Sequence, residues 1–450
     1  MTSTLDSLCT DSGGEDQPQP NGLQGSQPAL SVWQEPSTIA LVGMGYVGLP
    51  TALAFLEAGV SVIGYDISES RLAAIKSGQV DLLERDRARL RDHMHHLTLT
   101  SEPLTLADAN VVVVCVPTPI DAHQVPDLLA LRAACDTVVA HAVPGQTIIL
   151  TSTTFVGCTR EFVVEKLEAR GLWVGVDVFV AFSPERIDPG NPAHVPELTP
   201  RVIGGVSLEC TRRAAKALRH TTSRVHEVSS PEAAELTKLL ENTFRAVNIA
   251  LANDFSLVAR ALDVDAVEVI QAASTKPYGF MPFYPGPGVG GHCIPCDPHY
   301  LLWQLKALRI ASPVTETAMA SIVARPRAVV TRARHVLAES GKPFAGARVL
   351  IVGVTYKPGV ADIRESPALE IMDEITKAGA QVSFSDPMVQ TLWTASGREC
   401  QAELDPAYES WDLVIVHTLH PGTDYSWLAA VPLVLDTTYQ LSGVPQRHIL

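Results

Sequence analysis

No uninterrupted apolar run in this 450-residue chain approaches the ~18 to 20 residues of a membrane-spanning helix, so no transmembrane segment is expected. Basic residues are scarce: 34 Lys and Arg stand against 49 Asp and Glu, a formal net charge of −15. Such a field opposes nucleic acid and anionic membrane, so neither is an expected partner, and an anionic ligand must meet a local basic pocket. Cysteines number 8, scattered through the chain with only Cys293 and Cys296 close together, so no disulfide framework is suggested and a reducing cytoplasm fits best. The first 36 residues lack a basic segment followed by an apolar one. They read as a polar, disordered tail rather than a signal peptide.

What is present is ordinary packed protein, with 46% hydrophobic and 18% charged residues, which excludes disorder or fibre as the main state. From Thr38 onward short β-branched runs punctuated by glycine alternate with helical stretches, the pattern of parallel α/β units. Residues 38–42 form a first strand, Gly43-Met44-Gly45-Tyr46-Val47-Gly48 a turn, and the next stretch to about Ala58 a helix. Val60 to Tyr65 is the second strand, ending at Asp66, and Val111 to Val116 and Gln146 to Leu150 are buried strands of the same sheet. The plan recurs: Val349 to Gly353 mirrors Ile39 to Gly43, Gly379 to Asp386 mirrors Gly59 to Asp66, and Trp411 to Val416 echoes the strand ending at Val116. The expected fold class is therefore α/β, two Rossmann-like doubly wound domains. Between them Pro231 to Leu262 has no internal Pro or Gly, with Ser229 or Ser230 as N-cap and Pro231 in the first turn. A helix of about 45–50 Å results, long enough to join the domains and two subunits.

Gly43, Gly45 and Gly48 between a strand and a helix allow a tight turn, close approach of a pyrophosphate and packing of helix on sheet. Asp66 ends the next strand, where a carboxylate can bond both ribose hydroxyls and repel a 2′-phosphate, which favours NAD. The second copy keeps only Gly353, so a second dinucleotide site is not expected; Lys357 and Arg364 instead follow the strand as cations suited to a diphosphate, or as ordinary solvated charges. Phe283 to His299 carries four glycines and delivers Cys293 with Asp297 four residues on, an arrangement suited to a nucleophile. His292, Cys293, Cys296, Asp297 and His299 can also be read as zinc ligands, but no second ligand pair stands at standard spacing and no metal is expected. An ordinary turn with buried thiols is the third reading, preferred for Cys296. Lys238 and Asn242 share one face of the long helix with Arg245 close by, and could polarise a substrate oxygen or simply face solvent.

Taken together, these residues resemble the nucleotide-sugar 6-dehydrogenases, the UDP-glucose and GDP-mannose dehydrogenase family. The marks are Gly43-x-Gly45-Tyr46-Val47-Gly48-Leu49-Pro50, Val116-Pro117-Thr118-Pro119, Ser152-Thr153, Phe182-Ser183-Pro184-Glu185-Arg186, Lys238 with Asn242, Gly290-Gly291-His292-Cys293 with Asp297, and Lys357 to Ser366. The Tyr278 to Pro295 segment looks most like the UDP-N-acetylglucosamine 6-dehydrogenases of bacterial surface polysaccharides. Two features depart from the pattern. Asp188-Pro189-Gly190 stands where UDP-glucose dehydrogenases have a second glutamate, and Ala324-Arg325-Pro326 replaces a Met-Pro dipeptide, a change expected to leave the chemistry untouched.

The resemblance implies a disordered tail at 1–36, an NAD-binding domain at 37–228, a central helical and dimerisation domain with the cysteine loop at 229–335, and a UDP-sugar-binding domain at 336–450. It implies NAD contacts from Gly43, Gly45, Tyr46, Val47, Gly48, Asp66, Pro117, Thr118 and Arg364. Substrate contacts fall to Glu185, Arg186, Lys238, Asn242, Tyr284, Gly288, Gly290, Gly291 and Lys357. The implied reaction is a four-electron oxidation at C6 of a UDP-sugar in a cytoplasmic homodimer or higher homo-oligomer. Cys293 captures an aldehyde, Lys238 and Asn242 polarise its oxygen, Asp297 or Glu185 gives acid/base help, and Thr153 with Glu185 holds a water. Lys238 is expected to favour ionisation of Cys293. UDP-N-acetylmannosamine and UDP-glucose remain alternative substrates, and a non-catalytic dinucleotide-binding regulator the alternative class.

Overall fold

The computed structural model describes residues 37–80, 84–121, 123–186, 198–291 and 293–450. The expected tail at 1–36, the Asp188-Pro189-Gly190 departure and His292 lie outside them. Strands β1 (Thr38–Val42), β2 (Ser61–Tyr65), β3 (Leu97–Thr100), β4 (Val111–Val114), β5 (Thr147–Leu150), β6 (Phe179–Phe182), β7 (Arg201–Gly205) and β8 (Val225–Val228) form one sheet. Their order is β3-β2-β1-β4-β5-β6-β7-β8, parallel throughout except for the β6–β7 pair. Ile39 aligns with Val62 on one side and Val111 on the other, so β1 is central. Every residue of β4, β5 and β6 is buried, because helices cover both faces. That is why these strands read as continuous apolar runs instead of alternating ones.

A second sheet is built from β9 (Arg348–Val352), β10 (Gln381–Ser385), β13 (Leu413–Val416), β14 (Val434–Asp436) and β15 (Arg447–Ile449), with a hairpin of β11 (Thr391–Trp393) and β12 (Glu399–Gln401) beside it. Its order β10-β9-β13-β14-β15 is wholly parallel. In both sheets the strand order reverses next to the first strand, which opens a crevice at the strands' carboxyl ends. The fold is thus two doubly wound Rossmann-like units joined by a long helix.

That helix runs from Pro231 to Ala261, and the Ser230 side chain accepts from the Ala233 amide at 3.2 Å to cap it. It packs on β7 and on two further helices, Asp297–Leu308 and Pro313–Glu339. One stripe of it stays uncovered, with Leu240, Phe244, Leu251, Phe255, Val258 and Leu262 exposed. Among the described residues no helix is long and apolar enough to cross a membrane.

The helix start is pressed against the sheet so closely that a Cβ on Gly204 would sit 1.9 Å from the Ser230 carbonyl oxygen. Neither backbone can yield cheaply. Gly204→Ala is expected to destabilise the fold by on the order of 2 kcal/mol, measured as a lowered thermal midpoint. An unchanged midpoint would mean that the helix does not enter against β7.

Candidate active site

Gly43 follows β1 with φ of +93°, and its amide donates to the Tyr65 carbonyl at 2.9 Å. A Cβ there would meet the Cys115 carbonyl oxygen at 2.9 Å, and one on Gly48 would meet the Gly43 oxygen at 1.8 Å. These two glycines close the turn on protein. Gly45 differs, for its Cβ position has nothing within 4 Å. The helix Gly48–Glu57 begins at Val47 without a side-chain cap; the Leu49 amide donates to the Gly45 carbonyl at 3.2 Å and Pro50 has no N–H, so the helix start offers an anion its dipole rather than a row of open amides. Asp66 accepts from the Met44 amide at 2.7 Å through one oxygen and from the Ser68 amide at 2.8 Å through the other. It therefore braces the turn as well as offering its remaining lone pairs to ribose hydroxyls. Pro117 is exposed, whereas Thr118 is buried and its carbonyl accepts from the Tyr300 hydroxyl at 3.1 Å. Tyr300 so ties the end of β4 to the helix Asp297–Leu308.

Asp297 opens that helix almost fully buried, and its amide donates to the Cys293 carbonyl at 2.8 Å. Its carboxylate accepts from the Asn242 side-chain amide and, at 3.5 Å, from the Thr153 hydroxyl. Burial pushes this carboxyl up to about 6, against the charge of Lys238 and the bonds from Asn242 and Thr153. Three elements distant in sequence thus meet on one carboxylate. Lys238 donates to the Glu185 carbonyl at 2.9 Å.

The Glu185 carboxylate, for which acid/base or water-holding work beside Thr153 is expected, has a cationic partner of its own. It pairs with Arg201, whose side chain is 9% exposed and so demands a counter-charge. Arg186, expected on substrate, is likewise engaged, by Glu241 and by the Pro200 carbonyl at 2.8 Å. Cys293 is solvent-accessible, yet desolvation by its surroundings, followed by Asp297, raises its pKa against Lys238, Arg364 and Arg245. The expected ionisation by Lys238 is therefore outweighed in the resting protein. Cys296 is buried and its thiol is pushed up to about 12 by desolvation. Among the described residues no group of three or more His, Cys, Asp or Glu gathers as for a metal ion.

The glycines before Cys293, expected at the substrate, also make room for neighbouring protein. A Cβ on Gly288 would lie 2.7 Å from Pro367, and one on Gly290 would lie 2.6 Å from the Glu365 oxygen and from Tyr356. Gly291, with φ of +78°, lies under the Tyr356 ring and donates to the Arg364 carbonyl at 3.0 Å. The cysteine loop is thereby docked on the second unit. Arg364 pairs with Asp362 at 2.6 Å and lies 4.1 Å over the Tyr46 ring, so that unit also touches the glycine turn. Farther back, Asn253 accepts from the Gly286 amide at 2.9 Å, and buried Arg325 donates to the Gly286 carbonyl at 2.9 Å and to Ser256 at 3.4 Å. Arg325, whose presence is expected to leave the chemistry untouched, is thus a structural anchor of the loop. Tyr284 is exposed and Lys357 half-buried beyond β9.

Residues 37–222, 232–321 and 350–442 match, in turn, the NAD binding, central and UDP binding domains of the UDP-glucose/GDP-mannose dehydrogenase family. The chain belongs to that family. It is 34% identical over 392 residues to the UDP-N-acetyl-D-glucosamine 6-dehydrogenase of Pseudomonas aeruginosa, covering 85% of this chain and 90% of that protein. To the UDP-N-acetyl-D-mannosamine dehydrogenase of Pyrococcus horikoshii it is 35% identical over 390 residues, 85% of this chain and 89% of that one. The solved structure of the UDP-D-ManNAc dehydrogenase from Pyrococcus horikoshii matches with a TM-score of 0.84 at 31% identity, over 92% of this chain and 98% of that one. The protein is accordingly an NAD-dependent oxidoreductase of UDP-sugars.

The glycine turn fits the dinucleotide: a helix start without a side-chain cap, a braced carboxylate and a void at Gly45 are what a pyrophosphate and a ribose need. Arg71, whose Nε donates to the Met44 carbonyl at 2.8 Å, is a further brace of that turn which no motif announced. Arg201, Tyr300 and Arg325 are similarly silent in sequence. Because Gly45 has room for a methyl group in the protein alone, Gly45→Ala is expected to leave the thermal midpoint of the ligand-free enzyme intact. Titration with NAD is expected to give an affinity about tenfold weaker or worse, since the methyl would occupy ligand space. Wild-type NAD affinity in this variant would mean that the pyrophosphate does not approach Gly45.

Proposed function

We propose that this dehydrogenase oxidises the C6 hydroxyl of UDP-N-acetylglucosamine to the uronic acid in two steps, with Cys293 as covalent nucleophile. The supporting observation is the buried Asp297, which gathers Asn242 and Thr153 beside the Cys293 turn, where the cofactor turn and the second unit meet. Bound NAD supplies the hydride acceptor for each two-electron step. Asn242 and Lys238 polarise the C6 oxygen, and Asp297, ionised at neutral pH, takes the hydroxyl proton. Cys293 then attacks the aldehyde carbon. Its raised pKa means that the thiol must lose its proton as it attacks; Asp297, holding the proton of the first step, passes it to the oxygen that becomes the thiohemiacetal hydroxyl and takes the thiol proton in its place. A thiohemiacetal forms, the second oxidation gives a thioester, and water releases the acid while the thiol regains a proton. Lys357 holds the diphosphate.

The relative from Pyrococcus horikoshii supports UDP-N-acetylmannosamine as the second reading. The uncovered stripe of the long helix is the seam of a homodimer, since contiguous exposed apolar surface of this kind marks an interface. Free thiols and an anionic nucleotide-sugar substrate fit the cytoplasm, with the uronic acid going to surface polysaccharide.

The deciding measurement is the yield of NADH per UDP-sugar consumed, compared across UDP-N-acetylglucosamine, UDP-N-acetylmannosamine, UDP-glucose and UDP-galactose. Two NADH are expected from the first, and none of the uronic acid from Cys293→Ala. Acid production by that variant would sink the covalent scheme, and turnover of UDP-N-acetylmannosamine alone would move the substrate assignment. Because the base form of Asp297 is required, kcat/KM is expected to rise with pH through a limb near 6. Asp297→Asn should lose that limb and about 10²-fold or more in rate. Retention of the limb in this variant would assign it to another group.

A further inference from the structure

Asp386, at the end of β10, repeats the bonding of Asp66 at the end of β2. One oxygen of Asp386 accepts from the Val354 amide at 2.8 Å and the other from the Met388 amide at 2.8 Å. The surroundings then diverge, for Asp66 is half-exposed while Asp386 is buried beneath His420. The His420 Nε2 lies 3.2 Å from the Asp386 carboxylate and 3.3 Å from the Thr355 hydroxyl. Its Nδ1 accepts from the Gly359 amide at 3.2 Å. A ring nitrogen that accepts an amide proton carries none itself, so Nε2 bears the proton and donates. The imidazole therefore grips both ends of the segment 355–359, with Lys357 between them, and the Thr355 hydroxyl donates to the Lys357 carbonyl at 3.0 Å. His420 is itself anchored, as its amide donates to the Tyr425 hydroxyl at 2.9 Å.

We propose that His420 is a positioning residue for the UDP moiety: as a neutral imidazole braced by Asp386, it sets the loop that presents Lys357. The carboxylate that binds ribose in the first unit has become, in the second, the support of a loop that binds the nucleotide diphosphate. This rests on the reading that Lys357 meets the diphosphate. His420 is 5% exposed, so it touches no ligand and acts only through the loop.

The test is calorimetric titration of the full-length enzyme with UDP, and separately with NAD. His420→Gln keeps a donor toward Asp386 but loses the acceptor for Gly359, and is expected to weaken UDP about tenfold with NAD unchanged. His420→Asn places an oxygen where Nδ1 stood and is expected to restore UDP binding to within about threefold of wild type. In turnover, His420→Gln should raise the KM for the UDP-sugar and spare kcat. On a Lys357→Ala background the His420→Gln change should add less than about twofold, since both act through one contact. Equal UDP affinity in His420→Gln and wild type, beside a weakened Lys357→Ala, would overturn the role of His420 alone. Full multiplication of the two effects would do the same. Unchanged UDP affinity in Lys357→Ala would instead remove the Lys357 reading, and the proposal with it.

Discussion

A carboxylate taken out of water must be met by donors, and the burial of Asp297 is the constraint from which the rest of the active centre follows. Thr153 comes from the loop after β5, Asn242 from the long helix, and the Cys293 carbonyl is held by the Asp297 amide. Losing Asn242 or Thr153 would leave a charge in low dielectric with too few partners. The same requirement orients the first sheet, the helix and the cysteine loop on one another. A charge that is costly to bury thus fixes the geometry of the centre, and that cost is what raises its pKa into the range of a base working at neutral pH.

A second constraint is the close docking of the cysteine loop on the second unit. Gly288, Gly290 and Gly291 leave no space for side chains against Pro367, Tyr356 and Glu365. Arg364, whose carbonyl accepts from Gly291, lays its guanidinium over Tyr46 of the cofactor turn. A displacement of the second unit therefore reaches the Cys293 loop and the dinucleotide turn together. Arg325 secures the loop from the other side, so its backbone is held at Gly286 and at Gly291.

Much of this was legible in the chain itself because it is written in local pattern. β1 ends where its apolar run meets Gly43, and the long helix starts at the Ser230 cap with Pro231 behind it, since caps and turn glycines act within a few residues. In the second sheet β9, β10 and β13 stand within two residues of their expected starts for the same reason, whereas β14 and β15 had no sequence expectation. What escaped was pairing across long separations. Nothing near Glu185 announces that its carboxylate will turn to Arg201, nor that its carbonyl will hold Lys238. That Arg325 anchors the cysteine loop is not announced either, because its partner Gly286 is remote in sequence. The glycine-rich loop was understood as room for a ligand, and glycine spacing cannot distinguish a ligand from a neighbouring protein segment.

The resting thiol also constrains the order of events. Cys293 is accessible, but its proton is held by desolvation and by the charge of Asp297, while Lys238, Arg364 and Arg245 only partly offset them. A thiolate free in the resting enzyme would be exposed to oxidation at an open site. In the proposed mechanism, an Asp297 that has accepted the proton of the first oxidation no longer opposes the thiolate by its charge, and the same cations would act on Cys293 against less resistance. On that proposal the carboxylate that serves the alcohol step would prime the thiol for the aldehyde it has just helped to form, and capture would be coupled to formation through one buried charge.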